Sequence, residues 1–311
     1  MNKIINAIKK NKTFLITAHV NLEGDALGAE LAMRELLRCL GKKADIINND
    51  ITPANYHFMP GIKSIRHKLP AKKYDAVMFL DCSDFSRAGN MQALKDHASE
   101  IINVDHHVSN TFFGNTNWVV PDASSTCEQI YLLSRKLGVM NKTIAVSLYV
   151  GMVTDTGGFI YPNTTAQTYK AVADIIKFGV RPDVIFGHLN SLCVLDDIKY
   201  MSKIMASIKL TKNKKVSWVS VPDWKNMDYD LPEKIFSFMR LLKDVEVFVL
   251  FKEIKKGVIR VNFRSRLKFN VNKTASFFGG GGHKNASGAL IEGKLSDVES
   301  NVIRFIDSQF V

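Results

Sequence analysis

Four stretches of this 311-residue chain end short apolar runs with side chains that bind cations or move protons. "HVNLEGDALG" carries His19, Glu23 and Asp25 within seven residues. "FLDCSD" carries Asp81, "NVDHH" carries Asp105, His106 and His107, and "MVTDTGG" carries Asp155. Carboxylate oxygens with one or two imidazoles suit Mn²⁺ or Mg²⁺ better than a thiolate-loving ion. They are too many for one ion. They fit a two-metal centre with a shared carboxylate, which activates water and stabilises both the entering and the leaving oxygen at phosphorus. Taken singly, each Asp is more often a helix cap or turn former, and His19 reads equally as a core residue. It is the recurrence at successive strand ends that points to a site.

A second constellation lies near the C-terminus. "VNFRSR" places Arg264 and Arg266 either side of Ser265, so on a regular strand the two guanidinium groups share a face. Two such forks suit phosphate. "SFFGGGGHKNASGAL" sets Gly279 to Gly282 before His283. Glycines let a backbone turn tightly, approach a ligand and offer N–H groups to phosphate. The bland reading of the same run is a flexible turn.

The elements that must position these groups are legible in outline. "TFLITAH" (13–19), "KADIINN" (43–49), "DAVMFLD" (75–81) and "EIINVDH" (100–106) read as buried strands. "DALGAELAMRELLRCLG" has helical spacing and stops at Gly41. Strands alternating with helices imply a doubly wound parallel sheet, whose ligands collect beyond the carboxyl ends of the strands. After residue 120 the pattern is helical, with Ser124 or Ser125 as N-cap of "SSTCEQIYLLSRKLG", followed by "KTIAVSLYVGMVTD" and "TTAQTYKAVADIIKFG". A helix-like segment at 195–210 then leads to a second α/β unit. Its strands are "KKVSWVSV", "VEVFVLFKEI" and "GVIRVNFRSR", and its helices "LPEKIFSFMRLLK" and "LSDVESNVIRFIDSQF".

Composition narrows the class. Hydrophobic residues at 46% and charged ones at 23% describe a globular chain, not a disordered one. No apolar run approaches the ~20 residues that span a bilayer, and the N-terminus lacks a signal-peptide core, so no membrane role is expected. Cys39, Cys82, Cys127 and Cys193 lie far apart, which argues against a disulfide framework or zinc knuckle and for a reduced, cytoplasmic setting. The net charge of +12 is uneven: residues 1–200 hold 22 Lys+Arg against 19 Asp+Glu, and residues 201–311 hold 20 against 11. An excess confined to the second part suggests that part meets an anion such as nucleotide phosphate. A solvated lysine-rich surface would give the same numbers.

In order, "HVNLEGDALG", "LDCSD", "VDHH", "TDTGGF", "VNFRSR" and "GGGGHKNASG" resemble the DHH phosphoesterases, in the subgroup with a C-terminal DHHA1 domain and the NrnA type within it. The likeness spans nearly the whole chain. It implies an N-terminal doubly wound, mainly parallel α/β domain over 1–190, a helical linker over 191–208 and a smaller α/β domain over 209–311, with the active site in the cleft between the domains. It implies a manganese-dependent hydrolase with two Mn²⁺ ions, Mg²⁺ or Co²⁺ being alternatives. One ion would be held by His19, Glu23 and Asp81, the other by Asp25, Asp81, His106 and Asp155, with Asp81 bridging. His107 would face the substrate phosphate or leaving group, and Asp105 would orient an imidazole through its free N–H. Asp81, Asp105 and His107 thus form the expected catalytic group. Arg264, Ser265, Arg266, Gly281, Gly282 and His283 would hold the nucleotide and its terminal phosphate.

The activity so implied is hydrolysis of very short RNA to mononucleotides and of 3′-phosphoadenosine 5′-phosphate (pAp) to AMP, and a homodimer is compatible with the resemblance. The chain departs from the usual His-x-Asn-x-Asp-x-Asp pattern at Glu23, and Leu22 stands where Pro is common. The first ion is expected to remain, with altered affinity or preference. Two readings compete. One is a phosphodiesterase of linear or cyclic dinucleotides such as pApA. The other is a non-catalytic nucleotide- or RNA-binding protein with a decayed metal site, which only Glu23 favours. Release of mononucleotides from a dinucleotide, with Mn²⁺ and with EDTA, separates them.

Overall fold

The computed structural model describes residues 1–190, 193–221, 223–225, 231–266 and 268–310. Two compact units divide the chain, Met1–Ser191 and Leu192–Val311.

The first unit opens with α1 (Asn2–Lys10), β1 (Thr13–Thr17), α2 (Gly24–Cys39) and β2 (Lys43–Ile46). It continues through β3 (Tyr74–Leu80), β4 (Ala98–Asp105) and β5 (Thr116–Val119). Four helices follow, α3 (Thr126–Leu137), α4 (Lys142–Asp155), α5 (Ala166–Ile176) and α6 (Pro182–Asn190). The strands form an all-parallel sheet in the order β2-β1-β3-β4-β5. Successive residues of a strand face opposite sides, and both sides are buried here. Phe14, Ile16, Ala76, Met78, Leu80, Ile102 and Val104 pack against the helices. Leu15, Val77 and Phe79 pack on the other side against Ala88, Met91 and Leu94. Those three come from the 3₁₀ segment Phe85–His97, so the second face is covered by tight turns instead of a regular helix. Burial on both faces explains why these strands read as continuous apolar runs. Chain order reverses across β1 and β3, so the crevice for a ligand opens beyond their carboxyl ends.

The second unit comprises α7 (Leu195–Ala206), β6 (Lys209–Leu210), β7 (Val216–Val221) and α8 (Leu231–Met239). β8 (Val247–Lys255), β9 (Val258–Ser265) and α9 (Val271–Phe277) come next. β10 (Gly281–His283), β11 (Ala286–Glu292) and α10 (Leu295–Asp307) complete it. The sheet order is β10-β11-β9-β8-β7-β6, antiparallel except for the β7–β8 pair. Val247, Val249 and Phe251 of β8 pack with α9 and α10. Phe248 and Leu250 pack with α7 and α8. The expected 195–210 helix therefore stops at Ala206. Its Met201 and Ile204 enter the core of the second unit, and Lys209 and Leu210 pair with Trp218 and Ser217 as an edge strand. Residues 191 and 192, the start of the expected linker, lie outside the described residues.

Candidate metal centre

Three strand ends and two helix ends deliver the side chains. β1 ends at Thr17, and His19 follows, 6% exposed. Asp81 follows β3 with a left-handed backbone (φ 54°). That conformation costs an L-residue on the order of 1–2 kcal/mol and is tolerated best by Gly, Asn and Asp. β4 ends at Asp105, so His106 and His107 sit just past the strand, where regular alternation no longer holds them to opposite faces. Asp25 lies in the first turn of α2, and Asp155 is the last residue of α4.

Close packing of α2 on α4 brings these last two together. A Cβ on Gly24 would lie 2.3 Å from Thr154 Oγ1, and one on Gly28 2.4 Å from the Ser147 carbonyl. A Cβ on Gly151 would lie 2.2 Å from Cys127 Sγ and 2.8 Å from Asp25 Oδ1. Side chains larger than hydrogen at these points would force the helices apart.

Asp25 also caps a helix that is not its own. Its oxygens accept from the N–H groups of Thr126 (2.7 Å) and Cys127 (2.9 Å), while Ser125 Oγ accepts from Glu128 N (3.0 Å). The open donors at the start of α3 are thereby satisfied, and the helix dipole favours the charge on Asp25. Ser125, not Ser124, is the N-cap; Ser124 Oγ donates to Glu128 Oε2.

His106 is the centre of the cluster. Its Nε2 lies 3.6 Å from Asp81 Oδ1, 3.6 Å from Asp155 Oδ2 and 3.9 Å from Asp25 Oδ2. Asp25, His106 and Asp155 bring one ligand atom each within 4.8 Å of one another, as do Asp81, His106 and His107. His19 Nε2 approaches Asp81 Oδ2 at 3.3 Å. Both imidazoles present Nε2 to the cluster because Nδ1 is engaged behind it. His106 Nδ1 meets the Ala123 carbonyl at 3.2 Å, and His19 Nδ1 meets the Val20 carbonyl at 2.6 Å. A carbonyl only accepts, so each Nδ1 carries a proton and each Nε2 is the nitrogen turned toward the acids. His107 differs: its Nδ1 is 2.7 Å from Asp105 Oδ1, and Asp105 is wholly buried and also accepts from Asn110 Nδ2 at 2.6 Å.

The electrostatics describe a nest of acids short of a cation. Burial and the neighbouring Asp81 charge raise Asp25 to about 6. Burial and Asp25 raise Asp155 to about 8. Burial opposes the charged form of His19, yet the Asp81 hydrogen bond and charge outweigh it and raise the group to about 9. For His106, burial is outweighed in the same way by Asp25, Asp81 and Asp155, giving about 9. Asp81 itself is driven low: burial works against that, but His19, His106 and His107 prevail. Among the described residues no Lys or Arg forms an ion pair with Asp25, Asp81, Asp105 or Asp155. An acid at the C-terminal end of a helix, as Asp155 is, also opposes the helix dipole. Oxygen-rich, buried, and with imidazole Nε2 atoms already turned inward, this donor set fits hard divalent ions. Glu23 stands apart, exposed at the N-cap position of α2 and outside both three-residue groups, although its charge is felt at Asp155.

The phosphate-binding candidates all lie in the second unit. Arg264 and Ser265 end β9, and Arg266 follows. The Arg264 guanidinium lies over the Phe236 ring at 5.0 Å, and Arg266 near the Phe248 ring at 5.7 Å. Ser265 Oγ accepts from Asn285 Nδ2 at 3.0 Å. Gly281, Gly282 and His283 are exposed on β10 and pair with Gly288, Ser287 and Ala286. Part of the glycine run is architectural. A Cβ on Gly280 would lie 2.1 Å from the Gly288 carbonyl, and Gly282 (φ 145°) would press within 2.6 Å of Ser287 Cα.

Comparison with known proteins matches residues 13–152 to the DHH family, N-terminal domain, and residues 224–310 to the DHHA1 domain. The chain belongs to the DHH family and carries a DHHA1 domain. This DHH-family chain is similar to the protein of Thermus thermophilus named bifunctional oligoribonuclease and PAP phosphatase NrnA, 28% identical over 285 residues, covering 89% of this chain and 84% of that protein. It is 27% identical over 319 residues to the protein of the same name in Mycoplasma genitalium, covering 98% of each. Among solved structures it shares its fold with an exopolyphosphatase-related protein from Bacteroides fragilis, with a TM-score of 0.91 and 24% identity over 99% of this chain and 95% of that one.

Three supporting residues of the first unit escaped the sequence reading. Thr126 Oγ1 donates to Asp81 Oδ1 at 3.1 Å. Asn163 Nδ2 donates to the Asp155 carbonyl at 3.1 Å and to its Oδ2 at 3.4 Å, and to the Ser124 carbonyl at 2.9 Å. Asn110 holds Asp105. Each is a small polar residue in a loop or helix start, where turn formation is the ordinary explanation. Only Thr126 lay inside a quoted stretch, and there it read as part of a helix.

Proposed function

We propose that the chain is a metal-dependent phosphoesterase that hydrolyses very short RNA to mononucleotides and also converts pAp to AMP. The observation that carries this reading is the convergence of Asp25, Asp81 and Asp155 from three segments on the inward Nε2 of His106. The names of the relatives support the substrate class.

In this reading His19, Glu23 and Asp81 hold one divalent ion and Asp25, Asp81, His106 and Asp155 the other, manganese being the expected metal and Mg²⁺ or Co²⁺ alternatives. Bound there, the ions supply positive charge that makes water nucleophilic near neutral pH and offsets charge on the phosphoryl oxygens. The protein's own work is positioning. Val20, Ala123 and Asp105 fix three imidazole tautomers, and Thr126, Asn163 and the α3 amides fix three carboxylates. His107, its Nδ1 tied to Asp105, offers Nε2 to the substrate phosphate or leaving group. Arg264, Ser265, Gly281, Gly282 and His283 hold the terminal phosphate and nucleotide, with Arg266 beside them bracing the turn after α8 through the Arg240 and Leu242 carbonyls.

Among the described residues no helix is long and apolar enough to cross a membrane. Action in the cytoplasm on short RNA, and a homodimeric state, belong to the same proposal. The test is turnover of pApA, pAp and RNAs of two to ten nucleotides, with Mn²⁺, Mg²⁺, Co²⁺ or EDTA. Metal-dependent mononucleotide release that falls with substrate length supports the reading. Faster turnover of pApA than of short RNA and pAp favours the dinucleotide alternative, and binding without turnover under every metal favours the non-catalytic one.

A further inference from the structure

We propose that Arg240 and Arg264 form a phosphate-binding pair in the second unit and that the carboxylate of Glu233 occupies it as a built-in, displaceable competitor. The proposal rests on the nucleotide chemistry inferred above and names a competitor and a cation that the RSR stretch does not contain.

The two oxygens of one carboxylate are taken by two different guanidinium groups. Arg240 Nη1 lies 2.7 Å from Glu233 Oε1, and Arg264 Nη2 lies 3.3 Å from Glu233 Oε2. The three residues come from places the fold makes adjacent. Glu233 is in the first turn of α8, and Arg240 follows its last residue seven positions on, two turns away on the same face. Arg264 reaches them from the end of β9, braced by the Phe236 ring of α8 and by donation from its Nη1 to the Phe263 carbonyl at 3.2 Å. Two forks turned toward one doubly oxygenated anion are a geometry that a phosphate matches.

Arg266, which the sequence pairs with Arg264, is engaged elsewhere. Its Nη2 donates to the carbonyls of Arg240 at 2.6 Å and Leu242 at 3.0 Å. It holds the turn that carries Arg240, which makes it a positioning residue. The pair facing an anion is therefore Arg240 and Arg264.

Exposure separates an exchangeable contact from a locked one. The side chains of Glu233 and Arg240 are 31% and 33% exposed, and that of Arg264 23%. An ion pair about a third exposed is weakly held and salt-sensitive. A phosphate dianion brings more charge and a further oxygen, so it displaces Glu233 instead of joining it. The resting carboxylate would then reject weak anions and set the affinity for a terminal phosphate monoester.

The experiment is calorimetric titration of the full-length, EDTA-stripped chain with inorganic phosphate and with AMP, adenosine serving as the phosphate-free control. Glu233→Gln should tighten both phosphate probes about three- to fivefold and leave adenosine unchanged. Arg240→Gln should weaken both by about tenfold. Unchanged or weaker phosphate binding in a folded Glu233→Gln would overturn the competitor role. Were that variant not to fold, wild-type affinity in Arg240→Gln would overturn the site. A chain that binds phosphate as stated but releases no mononucleotide removes the proposed function and leaves this pair standing. Turnover with wild-type phosphate affinity in both variants removes the pair alone.

Discussion

His107 Nδ1 lies 2.7 Å from Oδ1 of Asp105, the wholly buried residue that ends β4. Its neighbour His106 turns Nδ1 the other way, to the Ala123 carbonyl, and its Nε2 into the acid cluster. Both imidazoles thus reach Asp81 Oδ1, His106 with Nε2 at 3.6 Å and His107 with Nδ1 at 3.7 Å, but a carbonyl backs the first and a carboxylate the second. His106→Ala should cost metal occupancy, read as Mn²⁺ stoichiometry by electron paramagnetic resonance. His107→Ala should keep the metal and lose turnover by about 10²–10⁴-fold, the usual weight of a positioned acid–base group. Equal loss of metal in both would refute the division of labour.

Protons and cations compete for the same atoms. Without metal, His19 and His106 stand at about 9, Asp155 at about 8 and Asp25 at about 6. All four are raised, so their protonated forms persist to higher pH than usual, and an ion must displace those protons. Mn²⁺ affinity should therefore rise with pH, by about tenfold or more per unit between pH 6 and 8, and level off above pH 9. Calorimetry in buffers of different ionisation enthalpy counts the protons released. An affinity independent of pH would contradict the assignment.

Gly151→Ala sets two effects of opposite sign against each other. Alanine gains about 1 kcal/mol of helix propensity over glycine. Here the added methyl meets Cys127 Sγ and Asp25 Oδ1, and overpacking costs about 1–3 kcal/mol. The clash should win, lowering Tm and metal affinity together. Gly187→Ala in α6, where an added Cβ meets nothing within 4 Å, should leave Tm unchanged or raise it. A stabilised Gly151→Ala would show that α4 tolerates separation from α3 and α2.

Glu23→Asp restores the shorter acid at an exposed helix N-cap position. It should tighten the weaker of two Mn²⁺ binding events severalfold in an equilibrium titration while leaving the tighter one alone. Identical isotherms for Glu23→Asp and wild type would remove Glu23 from the ligand set.

The parallel sheet was legible because its central strands β1 and β3 are buried on both faces and so read as unbroken apolar runs. Asp81 and His106 were legible because they fall just past strand ends, and Asp25 and Asp155 because they fall at the start and end of helical runs. The edge strand Thr116–Val119 was not, since it is four half-buried residues without alternation. Nor was β6, two exposed residues inside a helical-looking segment. The pairing of Arg264 with Arg240 instead of Arg266 depends on where α8 docks, and no local spacing encodes that. The glycine contacts of Gly24, Gly28 and Gly151 belong to the same class: a helix crossing is invisible until both helices are in place.

In the proposed function Asp81 is the acid shared between two ions and organises hydrolysis at phosphorus. The most direct measurement is single-turnover release of mononucleotide from a dinucleotide by wild type and Asp81→Ala, each with saturating Mn²⁺ and with EDTA. Wild type should turn over only with metal, and Asp81→Ala should lose activity by at least about 10³-fold, the scale expected when charge stabilisation at the reacting centre is removed. Near wild-type, metal-dependent release by Asp81→Ala would contradict it.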